Sequence, residues 1–339
     1  MFGLRSYKPT KKLGWFFRMC LFIWVFATIL VLVGRDTLIL GTALILGRPL
    51  WIIGGVFWSW FIDRRLVSRP LKRVVWLLLA LLLLEYSWVG INRESLGEPA
   101  TPKTEISIIT YNLFFKNKAP QQSLSILEQA QADVLFLQEI TPQWYAILEK
   151  KLSKSHPYRV VLPYRGTHGL AVYSRFPLKQ IKVMNNDSKL PFAQWVSLEV
   201  AGRKLLAVHA HLASPAVAVE NPDRFFPLIH KNHQLRIEQL NQIQEQAILW
   251  EPDYSSIFLI GDLNTTPHEP IYRQLTDDWV DGFEEAGSGN PDNFPNSSHL
   301  PAITRLDYVM AKGELQFQKV QVFKGGSSDH LALKARVAL

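Results

Sequence analysis

SIFLIGDLN, residues 256–264, is an unbroken apolar run of strand length that stops at a glycine and an aspartate and, two residues on, an asparagine. A short run rich in Ile, Leu and Phe reads as a β-strand buried on both faces, so its polar end belongs at the rim of a sheet. The same design recurs through the chain. EISIITYN (105–112) ends at Asn112, ADVLFLQE (132–139) delivers Glu139, and KLLAVHAHL (204–212) carries His211. TRLDYVMA (304–311) brings Asp307, and DHLALKARV (329–337) opens on the pair Asp329-His330. GLAVYSR (169–175), WVSLEV (195–200) and ELQFQKVQVF (314–323) read as further strands, with Ala201-Gly202 as a tight turn. Helical periodicity over 122–131, from Pro142 to about Leu152 and over 231–250 alternates with them, which predicts a layered α/β domain.

Carboxylates, amides and an Asp-His pair delivered by strand ends are what a divalent-metal phosphoesterase needs, because the metal and the phosphate must be gripped from several sides. Crowded carboxylates repel one another without a cation, an independent reason to expect one. The set is rich in hard oxygen donors, and the single cysteine, Cys20, lies far outside it, which favours Mg²⁺ or Mn²⁺ over Zn²⁺.

The net charge of +8 is misleading as a nucleic-acid signal. Thirteen of the 37 Lys and Arg and five of the 29 Asp and Glu fall in the first hundred residues, so the remaining 24 of each sign cancel. Non-specific binding to a duplex rests on Lys and Arg neutralising phosphates, so a neutral domain argues against a nuclease that tracks DNA.

The first hundred residues carry a membrane signal. Residues 14–33 are about long enough to cross a ~30 Å hydrocarbon core. Residues 37–62 and 74–90 are further apolar stretches, the former interrupted by Gly47-Arg48-Pro49. No small-residue cleavage site follows the first stretch, so a signal peptide is disfavoured. Basic residues precede the first span and lie between the second and third, which places both segments in the cytoplasm and residues 91 onward on the outer face of the cell membrane. Arg48-Pro49 is the weak point: a charge in mid-span is expensive and proline breaks a helix, so a re-entrant hairpin there would reverse the side. The expected organisation is a membrane region over 1–91 with about three transmembrane helices, a polar linker over 92–104, and a catalytic domain over 105–339.

TYN (110–112), LQE (137–139), HGLAVYSR (168–175), HL (211–212), GDLN (261–264), RLDYVM (305–310) and SDH (328–330), in this order, resemble the marks of the endonuclease/exonuclease/phosphatase superfamily. Its metal-dependent phosphoesterases include DNase I-like nucleases, inositol polyphosphate phosphatases and neutral sphingomyelinases. The resemblance covers roughly 105–337 and implies a four-layer α/β sandwich, two packed mixed sheets flanked by helices, with the active site at one rim. It implies metal ligation by Glu139 with Asn112 and Asp329. Asp262 would orient or deprotonate the attacking water, and Asn264 would hold a phosphate oxygen. His330 would bond the scissile phosphate with its ring fixed by Asp307, and His211 would stabilise charge in the transition state.

Each residue also has a plainer reading. Asn112 and Asn264 are good turn and cap residues, and Glu139 and Asp262 suit exposed turns. Strand alternation puts His209 and His211 on the same face and does not choose between them; the His-Leu pattern of the resembled family favours His211. His168 stands where a small polar residue is commoner in the family and is expected to line the pocket, whereas His156, His233 and His299 read as solvated or structural. The tether beside a bilayer points to a lipid-linked phosphate or pyrophosphate. Relatives with three spans, which the chain resembles, suggest undecaprenyl pyrophosphate. Phe225-Phe226, soon after His211, would either dip into the lipid interface or pack inside. A tethered nuclease is the alternative, an inactive scaffold a lesser one, and no obligate protein partner is expected.

Overall fold

The computed structural model describes residues 19–26, 28, 73–81, 104–215, 221–297 and 302–339. The chain divides into two compact units, Met1–Ile91 and Asn92–Leu339. In the first unit the described stretches are helical. Among the described residues no helix is long and apolar enough to cross a membrane. The expected span 37–62 and the linker up to residue 103 lie outside the described residues, as do parts of the spans 14–33 and 74–90.

The second unit is built from two six-stranded sheets. One runs β11-β12-β1-β2-β4-β3 and the other β5-β6-β7-β8-β10-β9. The strands of the first are β1 (Glu105–Asn112), β2 (Val134–Gln138), β3 (Tyr158–Leu162), β4 (Leu170–Ser174), β11 (Gln316–Phe323) and β12 (Ala332–Ala338). Those of the second are β5 (Leu178–Asn185), β6 (Pro191–Val200), β7 (Arg203–His211), β8 (Ser256–Asp262), β9 (Val280–Asp281) and β10 (Asp307–Gly313). Both sheets are mixed: β1 and β2 pair parallel, as do β7 and β8, while the remaining neighbours are antiparallel.

Side-chain alternation makes the layers. Ile106, Ile108, Val134, Phe136 and Val172 meet Val196, Leu205, Ala207, Phe258 and Ile260 in a core between the sheets. The opposite faces are also apolar and are covered by helices. Ile109, Leu135 and Leu137 pack under α1 (Pro120–Ala130) and α2 (Pro142–Leu152). Leu206, Val208 and Leu259 pack under α3 (Phe225–Trp250) and α4 (Pro270–Thr276). A short helix, α5 (Gly282–Ala286), follows β9. A strand buried on both faces needs a continuous apolar run, which is why SIFLIGD is legible as β8.

Register then gathers the polar strand ends. Asn112 pairs with Gln138 at the exits of β1 and β2, and His211 pairs with Asp262 at the exits of β7 and β8. Asp262 faces Asp307 across the antiparallel β8–β10 pair. Gly261 makes the β8 exit possible: its φ is +138°, and a Cβ there would lie 1.9 Å from the Ala210 carbonyl oxygen. Because that obstacle is backbone, Gly261→Ala is expected to destabilise the domain by more than about 3 kcal/mol, read as a lower midpoint in urea unfolding.

The expected elements differ from the observed ones mainly at exposed places. β3 and β5 are edge strands whose residues are mostly exposed or only partly buried, so the apolar pattern that betrays a strand is weak. α3 begins at Phe225 rather than 231, which places Phe225 and Phe226 in its first turn. β12 begins at Ala332, so Asp329 and His330 sit in the loop before the strand.

Candidate active site

Asn112 stands at the centre of the rim. Its Nδ2 donates to Glu139 Oε1 at 3.2 Å and to Asp262 Oδ2 at 3.1 Å, and its Oδ1 accepts from the Phe114 amide at 3.0 Å. The amide therefore turns its NH₂ toward the carboxylates and holds them together. Glu139 follows β2, and its Oε2 accepts from the Phe115 amide at 2.8 Å. Phe114 (φ +60°), Glu139 (φ +62°) and Asn264 (φ +48°) all adopt left-handed backbone conformations. Such conformations cost on the order of 1–3 kcal/mol each and persist where the surroundings over-determine them. Here the hydrogen bonds to Asn112, Glu139 and Asp262 do so: Asp262 Oδ1 accepts from the Asn264 amide at 2.9 Å.

Two histidines approach Asp262 Oδ2, His211 Nε2 and His330 Nε2, each at 3.6 Å. His211 Nδ1 donates to the Thr167 carbonyl at 3.0 Å, which holds the ring and aims Nε2 into the site. His330 Nδ1 donates to Asp307 Oδ2 at 2.7 Å. Burial alone would lower the His330 pKa, but Asp307 and Asp262 outweigh it and raise it to about 10. Burial raises Asp307 against the opposing charge of His330. The pair is a buried carboxylate–imidazolium dyad.

His209 separates from His211 by depth. It is fully buried between Gln138 and Gln194, at 2.7 and 3.2 Å from their amides, and burial followed by the charge of His211 lowers its pKa to about 3. It is a neutral core histidine two residues short of the rim. His168 is half-buried against Tyr164, and its pKa is lowered by burial and then by the charge of His211. His156 and His233 are buried, not solvated, and His299 lies outside the described residues. Asn264 is buried with its Nδ2 donating to the Leu212 carbonyl at 3.0 Å, so that part of its amide braces the β7 exit.

Carboxylates crowd the rim with few cations among them. Glu139 is raised first by burial, with His211 and hydrogen bonds opposing and Asp329 adding to the rise. Asp329 is likewise raised by burial, against His330 and with Asp262 adding. A hard divalent cation suits such a set. Asp262, Asp307 and His330 also cluster closely enough to suggest a metal group, with His330 Nδ1 already bonded to Asp307. Asn112 lies between Glu139 and Asp262.

Sequence reasoning missed Asn293. Its Nδ2 donates to Asp307 Oδ2 at 2.9 Å and its Oδ1 accepts from the Leu306 amide at 3.0 Å, so it fixes the carboxylate that fixes His330. The next residue, Phe294, lays its ring 4.9 Å from the His330 ring. Ser328 Oγ donates to the Asn112 carbonyl at 2.6 Å and ties the His330 loop to β1. Asn293 lies in NPDNFPNSS, a stretch of turn formers around a single Phe, where no periodicity marks it.

Known structures share this fold. The fold is shared by truncated TDP2 from Caenorhabditis elegans, 19% identical over 71% of this chain and 100% of that one with a TM-score of 0.53. It is shared by the beta toxin of Staphylococcus aureus, solved with bound magnesium ions, at 17% identity, 68% and 99% coverage and a TM-score of 0.53. A mannosyl-6-phosphatase from Bacteroides thetaiotaomicron has it too, at 15% identity, 69% and 100% coverage and a TM-score of 0.51. The comparison with curated proteins gives no match. The model of the endonuclease/exonuclease/phosphatase family matches residues 109–330. The chain therefore belongs to that family, whose members are hydrolases acting on phosphate esters.

Proposed function

We propose that this protein is a membrane-anchored, metal-dependent phosphoesterase that hydrolyses a phosphate ester or pyrophosphate of a membrane lipid, with undecaprenyl pyrophosphate the leading substrate. The observation that carries the chemistry is the convergence of His211 and His330 on one oxygen of Asp262, with the second histidine held as an imidazolium by Asp307. A protonated Nε2 donates to a phosphoryl oxygen, where negative charge grows as the bond breaks. Asp262 lies where it can orient a water and accept its proton. His211, its Nδ1–H held by the Thr167 carbonyl, would donate from Nε2 to the leaving oxygen when the ring carries both protons. Glu139 and Asp329 would hold Mg²⁺ or Mn²⁺, which supplies Lewis-acid polarisation of the phosphate.

The lipid part of the proposal rests on the apolar stretches of the first ninety residues and on exposed apolar side chains in their described helical pieces. Phe22 is 69% and Leu77 60% exposed, surfaces that water does not favour. Phe226, 48% exposed in the first turn of α3, adds an apolar surface. The charge balance of the domain supports a lipid over a polynucleotide. Three crossings put the domain on the outer face of the membrane; cytoplasmic activity of a reporter fused after residue 100 would refute that placement.

The detergent-purified full chain is expected to release phosphate from an isoprenyl pyrophosphate with Mg²⁺ and to stop on chelation, while plasmid DNA beside it stays intact. Nicking of the plasmid without lipid turnover would make the protein a tethered nuclease and remove the lipid proposal.

A further inference from the structure

Helix α3 is expected to present apolar residues to the sheet it covers, and Leu240, Ile243 and Ala247 do so. Its N-terminal half presents a buried polar stripe instead: His233, Arg236 and Gln239, spaced three apart and so stacked on one face, are 0, 0 and 3% exposed. Arg236 reaches in two directions. One terminal nitrogen donates to the Ala213 carbonyl at 3.2 Å, and the other to Glu269 Oε2 at 3.0 Å. Ala213 is gripped from its other side by Gln239 Oε1, which accepts its amide at 3.0 Å. Glu269, also fully buried, uses Oε1 to accept the Thr266 amide at 2.8 Å. Burial alone would raise the Glu269 pKa, but Arg236, followed by His233 and Thr266, brings it down to about 2, so the pair is ionised.

Ala213 is two residues past His211, and Thr266 is two residues past Asn264 and four past Asp262. A buried ion pair adds little net stability relative to apolar residues of the same volume, because desolvation offsets the attraction. What this one supplies is geometry. The fork of one guanidinium spans the two loops that leave β7 and β8, the strands that deliver His211 and Asp262.

We infer that Arg236 is a positioning residue for the hydrolytic site: with Glu269 and Gln239 it forms a clamp that holds the His211 loop and the Asp262–Asn264 loop at fixed separation. The inference rests on the phosphoesterase reading of that site. Arg236 touches no substrate.

The test uses the full chain in detergent with Arg236→Met/Glu269→Met, which keeps volume and removes both charges together, and Arg236→Lys, which keeps charge without the fork. Two measurements are made: Mg²⁺-dependent hydrolysis of an isoprenyl pyrophosphate, and amide hydrogen exchange of peptides covering 208–215 and 260–268. The double variant is expected to lose about 10²-fold in kcat with KM within about twofold of wild type, since small misplacement of reacting groups acts on turnover. Its loop peptides are expected to exchange at least about tenfold faster while β6 and β10 stay protected, and Arg236→Lys should recover part of both. Wild-type exchange in both loops overturns the clamp, whatever the kinetics. Loss of protection throughout the domain also overturns it, because the pair would then be a general stabiliser. If the wild-type chain and its Asp262→Ala variant are equally silent on the phosphate substrate, the phosphoesterase reading fails instead, and the exchange data still decide the clamp.

Discussion

Asp262→Ala is expected to lower kcat by about 10²–10⁴-fold, the range for removing a positioned acid or base. One oxygen of this carboxylate is shared by the Asn112 amide at 3.1 Å and by the two histidine Nε2 atoms at 3.6 Å. The other accepts the Asn264 amide at 2.9 Å and so shapes the left-handed turn that carries that side chain. Alanine removes the base and loosens the turn, and it leaves His211 and His330 facing each other with no anion between them. Substrate contacts away from the reacting phosphate are untouched, so KM should change far less than kcat. Steady-state kinetics decides the matter, with circular dichroism showing that the fold is kept. A KM effect with kcat preserved would assign Asp262 to binding and take the proton-transfer role away from it.

Asp262 was legible because β8 is buried on both faces. A continuous apolar run with an abrupt polar end has few structural explanations, and the same holds for Asn112 and Glu139 at the exits of β1 and β2. Their convergence followed from parallel pairing, which brings the exits of neighbouring strands to one edge. Depth was not legible. His209 and His211 share a face, and only the position of the strand end separates a core histidine held by Gln138 and Gln194 from one at the rim. Asn293 was invisible because a loop residue bonded to Asp307 has no pattern of its own. The polar stripe of α3 was hidden in another way: helical periodicity does not show that Arg236 and Gln239 are buried, because their partners Glu269 and Ala213 lie far off in sequence. The edge strands β3 and β5 escaped because half-exposed strands lack an apolar signature.

Glu139→Gln is expected to cost far more stability in the presence of Mg²⁺ than in its absence. Without the cation, burial holds the Glu139 pKa above its unfolded value, with Asp329 adding to the rise. A carboxyl raised on folding binds its proton more tightly in the native state. Its ionisation therefore weakens the fold as pH rises through the window between the unfolded and folded values, and the penalty is fully present at pH above the folded one. Glutamine keeps the shape and an oxygen for the Phe115 amide but turns its NH₂ toward the Asn112 Nδ2 that Oε1 had accepted, so at neutral pH the loss of that bond offsets the removed charge penalty and the metal-free variant should stay close to wild type. With Mg²⁺ at about a hundred times its dissociation constant, wild type should gain about 2.7 kcal/mol from binding to the folded state alone, and the variant should gain much less. Lowering the pH below the unfolded carboxylate range should remove the charge penalty from wild type, because both chains are then neutral at this position. Thermal melts of both proteins, with Mg²⁺ and with chelator at neutral and acidic pH, read all four conditions. An Mg²⁺ shift undiminished in the variant would take Glu139 out of the metal site.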